Sequence, residues 1–412
     1  MSERQKVARN AAWLIFYQIT NLGAQLLVIP FLTRVLGRPE FGAVIAIIAC
    51  TQFAFVITDY GFSLSATYAI SRSENNKSKI QKVIDEVHSA KIILLIIAII
   101  GLFFVSYLGE FREHRLAFMI SILAIIAQAY QPVWFFQGVE DMRSYAIFML
   151  WPKLIYLILI FTLVGDSGDE AIVILSFGVA QIVGMIIGLS KIKAMGFKPF
   201  KLTISGAIYA LKVSTNFFWS RLAVSVYTSA SSIVIGLVDL NQAALYGAAE
   251  QIYKAGQSVT GPINQALFPY IARTRRLSDL LKAVPVISVI LIIGCLGVWL
   301  FSDYLVYIIY GQNYSDAKPI LGVFLILVVV TYLNVSFGYP LFAGIGRPEI
   351  ANYTVISASI VYAICLLALM IFDSVSAINM VVCVAITEVT VLLLRSGLGV
   401  IMINNSDSKN NN

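Results

Sequence analysis

Eight ionisable residues sit inside stretches that are otherwise apolar: Asp59, Lys153, Lys212, Arg221, Glu250, Lys254, Glu388 and Arg395. Isolated in hydrocarbon, a charge costs several kcal/mol, so each must face protein or a water-filled space. The chemistry open to such a set is the holding of charge. A buried cation pairs with a carboxylate or takes an anionic ligand; a buried carboxylate pairs with a cation or takes a coupling proton or Na⁺. Asp59, Glu250 and Glu388 are the acids, and five cations against three acids leave the interior with a positive excess.

The segment from Gln242 to Arg276 carries this pattern most densely. Gly247, Glu250, Lys254, Gln257, Gly261 and Gln265 advance by three or four along one helical face, while Leu, Ile, Tyr and Val fill the others. Twelve residues of rise put Lys254 about 18 Å from Gln242, near the middle of a hydrocarbon slab about 30 Å thick. Two readings stay open: an internal Glu250–Lys254 pair that joins helices, or the wall of a polar cavity for a charged cargo. Arg221 lies on a second polar stripe with Ser214, Ser225, Thr228 and Ser232. Lys153, Lys212 and Arg395 lie nearer span ends, where a long side chain can instead snorkel to the headgroups.

Other chemistry is thin. Cys50, Cys295, Cys365 and Cys383 are scattered through apolar segments, a spacing that suits neither a metal site nor a disulfide framework. No phosphate-binding glycine loop occurs, His88 and His114 fall at or beside polar connections, and no cofactor or catalytic constellation is expected.

The elements that must carry these residues follow from composition. The chain has 412 residues, 59% of them hydrophobic and 12% charged, with a mean hydropathy of +0.85. Soluble domains carry about 25% charged residues, so this is an integral membrane protein of the all-α class. Apolar runs give twelve spans at about 11–33, 41–69, 90–108, 115–137, 144–164, 171–190, 207–237, 242–271, 280–301, 318–344, 350–372 and 376–403. With that alternation, nineteen basic residues fall on the side of the N-terminus and five on the other. The first group includes Arg4, Lys6, Arg9, Arg72, Lys79, Lys82, Lys91 and Lys409. The asymmetry places both termini in the cytoplasm, and the net charge of +7 reads as loop bias, with no nucleic acid implied.

The halves of the chain echo each other. EFGA at Glu40–Ala43 returns as LYGA at Leu245–Ala248, an offset of 205. WFFQGVEDM at Trp134–Met142 returns as LFAGIGRPE at Leu341–Glu349, with Gly138 matching Gly344 at an offset of 206. A six-span period is even, so the repeats run parallel. The expected architecture is a six-helix bundle over 1–205, a second over 206–403, a cavity between them, and a disordered polar cytoplasmic tail over 404–412. Pro30, Pro132, Pro262 and Pro340 fall within spans, where they kink helices whether or not the bundles move. Gly184 and Gly188 form a GxxxG that speaks for helix packing.

Four stretches together resemble the O-antigen (Wzx-type) polysaccharide flippases of the MATE-like MOP superfamily. They are NAAWLIFYQITNLGAQLLVIPFLTRVLGRPEFG, TDYGFSLSATYAISR, QPVWFFQGVEDMRSYA and YGAAEQIYKAGQSVTGPINQALFPYIAR, and they run from the N-terminus into the second half. The resemblance implies a twelve-helix inner-membrane protein that moves an undecaprenyl-diphosphate-linked oligosaccharide from the cytoplasmic to the periplasmic leaflet by alternating access. Its partners would be membrane lipids and, beside the cargo, the polysaccharide polymerase and chain-length proteins. Buried cations suit that cargo, since Arg221, Lys254 and Lys153 would offset desolvation of a diphosphate. Trp134, with Trp13, Tyr17 and Trp219, is a candidate for stacking on sugars, or else packs the core or an interfacial belt.

Two other functions compete. A membrane glycan polymerase or ligase needs a sizeable outward loop with polar catalytic residues, yet the longest, Ser302 to Ala317, offers two Asp and no Arg or His. Export of cationic drugs on the same fold is disfavoured by the positive interior. The protein is therefore expected not to be an enzyme.

Overall fold

The computed structural model describes residues 3–73, 76–347 and 349–410. The side chains of Arg4, Lys6, Arg9, Thr228, Pro262, Gln265 and Lys409, singled out above, lie outside the described residues. Sixteen α-helices follow one another: α1 Glu3–Val35, α2 Arg38–Asp59, α3 Phe62–Ser71, α4 Lys77–Val105, α5 Arg115–Tyr130, α6 Val133–Gly138, α7 Met142–Leu163 and α8 Glu170–Ala194, then α9 Ile204–Val238, α10 Leu240–Thr274, α11 Leu277–Leu300, α12 Ser302–Tyr310, α13 Ala317–Ser336, α14 Tyr339–Ile345, α15 Glu349–Ile371 and α16 Ala377–Asn410.

Among the described residues, nine segments are long and apolar enough to cross a membrane: α2 with α3, α4, α5 with α6, α7, α8, α11, α13 with α14, α15, and α16 as far as Met402. With α1, α9 and α10, of 33, 35 and 35 residues, these give the twelve crossings expected of a multi-pass all-α protein. By contact the chain divides into two units, one of Met1–Ser225 with Gly236–Leu240 and one of Val226–Ile235 with Asn241–Asn412.

In the first unit α5 and α7 both pack on α8, α1 packs on α7, and α2 is flanked by α4 and α5. Its core includes Phe62, Ile84, Leu94, Trp134, Phe135, Phe136 and Phe148. Two crossings here are broken. The α2–α3 break is made by Tyr60 and Gly61, both at positive φ, 46° and 81°. A Cβ on Gly61 would lie 2.7 Å from Phe217 Cβ, so glycine is also what lets α9 approach. The α5–α6 break falls at Gln131 and Pro132, since proline has no N–H to continue the ladder. The Gly184 and Gly188 faces of α8 receive two prolines, Pro152 and Pro132 respectively, which is the helix packing their spacing implied.

In the second unit α16 packs on α13 and α15, and α11 packs on α13 and α14. Ile271, Leu280, Val284, Tyr332 and Leu341 form its core. The α13–α14 break falls at Phe337 and Gly338. It stands 206 residues after the break at Gln131 and Pro132, the offset that the sequence repeat carries. The matched glycines also do the same job, Gly138 seating Ile70 and Gly344 seating Ile271 and Leu277 where a Cβ would collide.

Several expectations are corrected. The third span, placed at 90–108, begins as a helix at Lys77, because Asn76 caps it by accepting from Ser78 N at 3.0 Å and Lys79 N at 3.2 Å. Lys91, counted with the cytoplasmic loop, is therefore inside a crossing and 2% exposed. His88, read as beside a connection, is buried in an aromatic cluster with Tyr130 and Phe200, at ring-centroid distances of 5.6 and 4.7 Å. The loop expected over 302–317 contains the helix α12. The stretch expected as a disordered tail is helical as far as Asn410; Asn411 and Asn412 lie outside the described residues. Pro132 and Pro340 sit at breaks, whereas Pro30 stays within α1.

Candidate functional site

Seven helices of the first unit, α2 to α8 without exception, contribute to one polar cavity of about 470 Å³, to which α9 adds Arg221. Its charged lining is Asp59, Lys91, Lys153 and Arg221, formally three cations and one carboxylate. Five glutamines, Gln52, Gln128, Gln131, Gln137 and Gln181, supply neutral donors and acceptors.

Asp59 is the last residue of α2, so the α2–α3 break aims it at the start of α3. Its Oδ1 accepts from Ser63 N at 3.3 Å and its Oδ2 from Ser63 Oγ at 2.9 Å. Arg221 NH1 donates to that same Ser63 Oγ at 2.8 Å, and its Nε stands 3.6 Å from Asp59 Oδ2. The carboxylate side chain is 6% exposed and the guanidinium side chain 38% exposed. One end of the group is thus a buried anchor, and the other is a cation open to the cavity. The stripe that carries Arg221 faces inward, as its spacing implied: Ser214, Ser225 and Ser232 are all buried, and Ser214 shares a 2.7 Å hydrogen bond with Ser65.

Lys91 Nζ donates to the Ala129 carbonyl at the end of α5. That carbonyl belongs to the turn that Pro132 interrupts, so the lysine satisfies a backbone group the break leaves over. Lys153 follows Pro152 in α7 and is half-buried; among the described residues no acceptor engages its ammonium. Gln131 Nε2 donates to Gln181 Oε1 at 2.7 Å, joining α8 to the α5–α6 break. Gln128 Oε1 and Trp134 Nε1 are buried without a hydrogen-bond partner among the described residues.

The structure therefore brings together four of the residues singled out above, Asp59, Lys153, Arg221 and Trp134. Trp134 is 1% exposed and packed against His88 and Phe135, which is the core reading of that residue. Tyr17 packs on the cavity residue Tyr145, Trp13 lies under Arg143, and Trp219 is exposed. Lys91 and the glutamines were missed. For Lys91 the signal existed: Ile84, His88, Lys91, Leu95, Ala98 and Leu102 share one buried helical face.

Glu250, Lys254 and Glu388 belong to the second unit. Lys254 Nζ stands 2.8 Å from Glu250 Oε2, the lysine side chain 49% and the glutamate 9% exposed. The internal pair is thus formed, with the ammonium still half open. Glu388 Oε2 accepts from Asn334 Nδ2 at 2.5 Å. Arg395, for which snorkelling was an open reading, is instead 7% exposed. It turns inward because two acceptors are waiting: it donates to the Asn334 carbonyl at 2.5 Å and to Thr354 Oγ1 at 2.8 Å. Among the described residues no cluster of His, Cys, Asp and Glu could hold a metal ion.

The fold is shared with solved structures. The lipid II flippase MurJ, in an inward closed conformation, matches with a TM-score of 0.75 at 15% identity over 94% of this chain and 86% of that one. An inward-facing multidrug resistance MATE family transporter of the MOP superfamily matches with a TM-score of 0.69 at 15% identity over 95% and 96%. At sequence level, the family described as polysaccharide biosynthesis protein matches residues 7–275. The chain belongs to that family. A putative O-antigen transporter of Escherichia coli strain K12 is 26% identical over 346 residues, 82% of this chain and 83% of the relative. One of Shigella dysenteriae is 26% identical over 374 residues, 89% and 93%.

Proposed function

We propose that the protein flips undecaprenyl-diphosphate-linked O-antigen or related oligosaccharide repeat units from the cytoplasmic to the periplasmic leaflet of the inner membrane by alternating access. The observation that carries this reading is the cavity of the first unit, where three cations face one carboxylate inside an apolar helical bundle. A formal excess of two positive charges complements a diphosphate, and a cation excess would repel cationic drugs. The names of the relatives, O-antigen transporters and a succinoglycan biosynthesis transport protein of Rhizobium meliloti, support the same cargo class.

In this reading Arg221 and Lys153 hold the diphosphate, Asp59 and Ser63 position Arg221, and the glutamines accept sugar hydroxyls. Lys254 offers a further cation in the second unit. Asp59 or Glu388 takes the coupling proton or Na⁺, and no other cofactor takes part. Both termini face the cytoplasm, as the nineteen-to-five bias supports; moving Lys91 out of the count leaves eighteen. The protein moves its cargo without catalysing a covalent step and hands it to the polymerase and chain-length proteins.

Deleting the gene tests this. Complete lipid-linked repeat units should then accumulate on the cytoplasmic leaflet while surface polysaccharide is lost. If single units instead reach the periplasm and stay unpolymerised, the polymerase reading replaces this one.

A further inference from the structure

A second cavity of the first unit, about 280 Å³, lies where α3 ends, α4 begins and α9 starts. Arg72, Lys79 and Lys82 line it against a single carboxylate, Glu86. Glu86 Oε1 stands 3.8 Å from Lys82 Nζ and so neutralises part of one cation. Arg72 uses one of its donors on Tyr68 Oη at 2.8 Å, which fixes the guanidinium beside the cavity. All three basic side chains are exposed. None of these residues takes part in the polar cavity described above.

We propose that this cavity binds the headgroup of an anionic glycerophospholipid of the surrounding leaflet. Three features select that ligand. The basic residues lie where α3 ends and α4 begins, at the polar ends of two membrane-spanning segments, the kind of place where cationic pockets between membrane helices take lipid phosphates. Tyr209 and Val213, one helical turn apart, line the cavity and are 57% and 49% exposed, so its wall continues as an apolar strip down α9. Such a strip suits acyl chains and has no use for free inorganic phosphate. The volume, about 280 Å³, lies just below the roughly 300 Å³ at which sites for drug-sized ligands begin and has room for a phosphoglycerol head.

The leaflet is the cytoplasmic one if the orientation proposed above holds; the binding itself does not depend on that orientation or on transport. Native mass spectrometry of the purified full-length protein, titrated with phosphatidylglycerol and with phosphatidylcholine, provides the test. Wild type should retain one phosphatidylglycerol more tightly than phosphatidylcholine. The triple variant Arg72→Gln, Lys79→Gln, Lys82→Gln should bind it roughly a hundredfold more weakly, at about a factor of five per cation. The swap Arg72→Lys, Lys79→Arg, Lys82→Arg should keep it. So should Arg273→Gln, Arg276→Gln, Lys282→Gln, which removes the same charge from the second unit and controls for bulk electrostatics. Unchanged retention in the first triple variant would overturn the site. Displacement of phosphatidylglycerol from it by equimolar undecaprenyl diphosphate would also overturn it and make the cavity part of the cargo route.

Discussion

Arg221 reaches the cavity because a carboxylate and a hydroxyl on the neighbouring helix hold its near side, and this division of labour orders the expected effects of substitution. Arg221→Ala should lower transport at least tenfold at normal protein level, since the cation itself is lost. Ser63→Ala should weaken apparent affinity while leaving maximal transport largely intact, because the cation stays but loses the hydroxyl that donates to Asp59 and accepts from Arg221, two hydrogen bonds to charged groups at about 1.5–3 kcal/mol each. Lipid-linked-oligosaccharide transport at graded substrate concentrations separates the two. For Glu250 and Lys254, paired at 2.8 Å with the glutamate buried and the lysine half open, Lys254→Ala should reduce insertion or folding, since a lone buried charge costs about 3–5 kcal/mol, whereas Glu250→Ala should cost less. Glu250→Gln with Lys254→Gln should restore folding but leave transport low. Full surface polysaccharide from that double variant would remove Lys254 from the site. Asp59, Lys153 and Arg221 were legible in the sequence because charge inside an apolar run stands out. Lys91 was passed over although its helical face was there to read, because it lies where polar residues give way to apolar ones, and composition alone there looks like a loop end.

At the scale of elements, each unit breaks its fourth crossing at the same place and satisfies the freed carbonyl with a cation from a neighbouring helix. Lys91 serves Ala129 in one unit, and Arg395 serves Asn334 in the other. Arg395→Ala should therefore lower the melting temperature of the detergent-solubilised protein, with a cost of about 1–3 kcal/mol for the unsatisfied buried carbonyl. Gly138→Ala should destabilise by about 1–3 kcal/mol through overpacking, since its Cβ would lie 2.7 Å from Ile70 Cβ. Adding Ile70→Ala to that variant should recover part of the loss, which a melting curve of the double variant checks. The sequence repeat pointed to these sites through Gly138 and Gly344. It could not reveal the cations that serve them, because Lys91 and Arg395 come from different crossings of their units and share no offset.

For the whole molecule, twelve crossings and an even parity were readable from hydropathy and charge alone, since the bilayer fixes element length and the positive residues fix sidedness. Reporter fusions after Asn76, Lys198, Arg275 and Asn404 should read cytoplasmic, and fusions near Glu110, Asp169 and Asp303 periplasmic. One clear inversion would break the topology. The cavity's glutamines were beyond reach for the opposite reason, being single neutral residues on separate helices, gathered only by packing.

The central claim, that the cationic cavity carries a diphosphate-linked oligosaccharide across the membrane, is tested most directly in liposomes. Purified protein would be reconstituted with a radiolabelled undecaprenyl-diphosphate oligosaccharide, and a glycosidase added outside would report arrival at the outer leaflet. Wild type should exceed empty liposomes, and Arg221→Ala with Lys153→Ala, incorporated to the same level, should fall to the empty-vesicle rate. Equal transfer by the double variant and wild type would contradict the assignment of the cavity, and no transfer by wild type under an imposed proton or Na⁺ gradient would contradict the function.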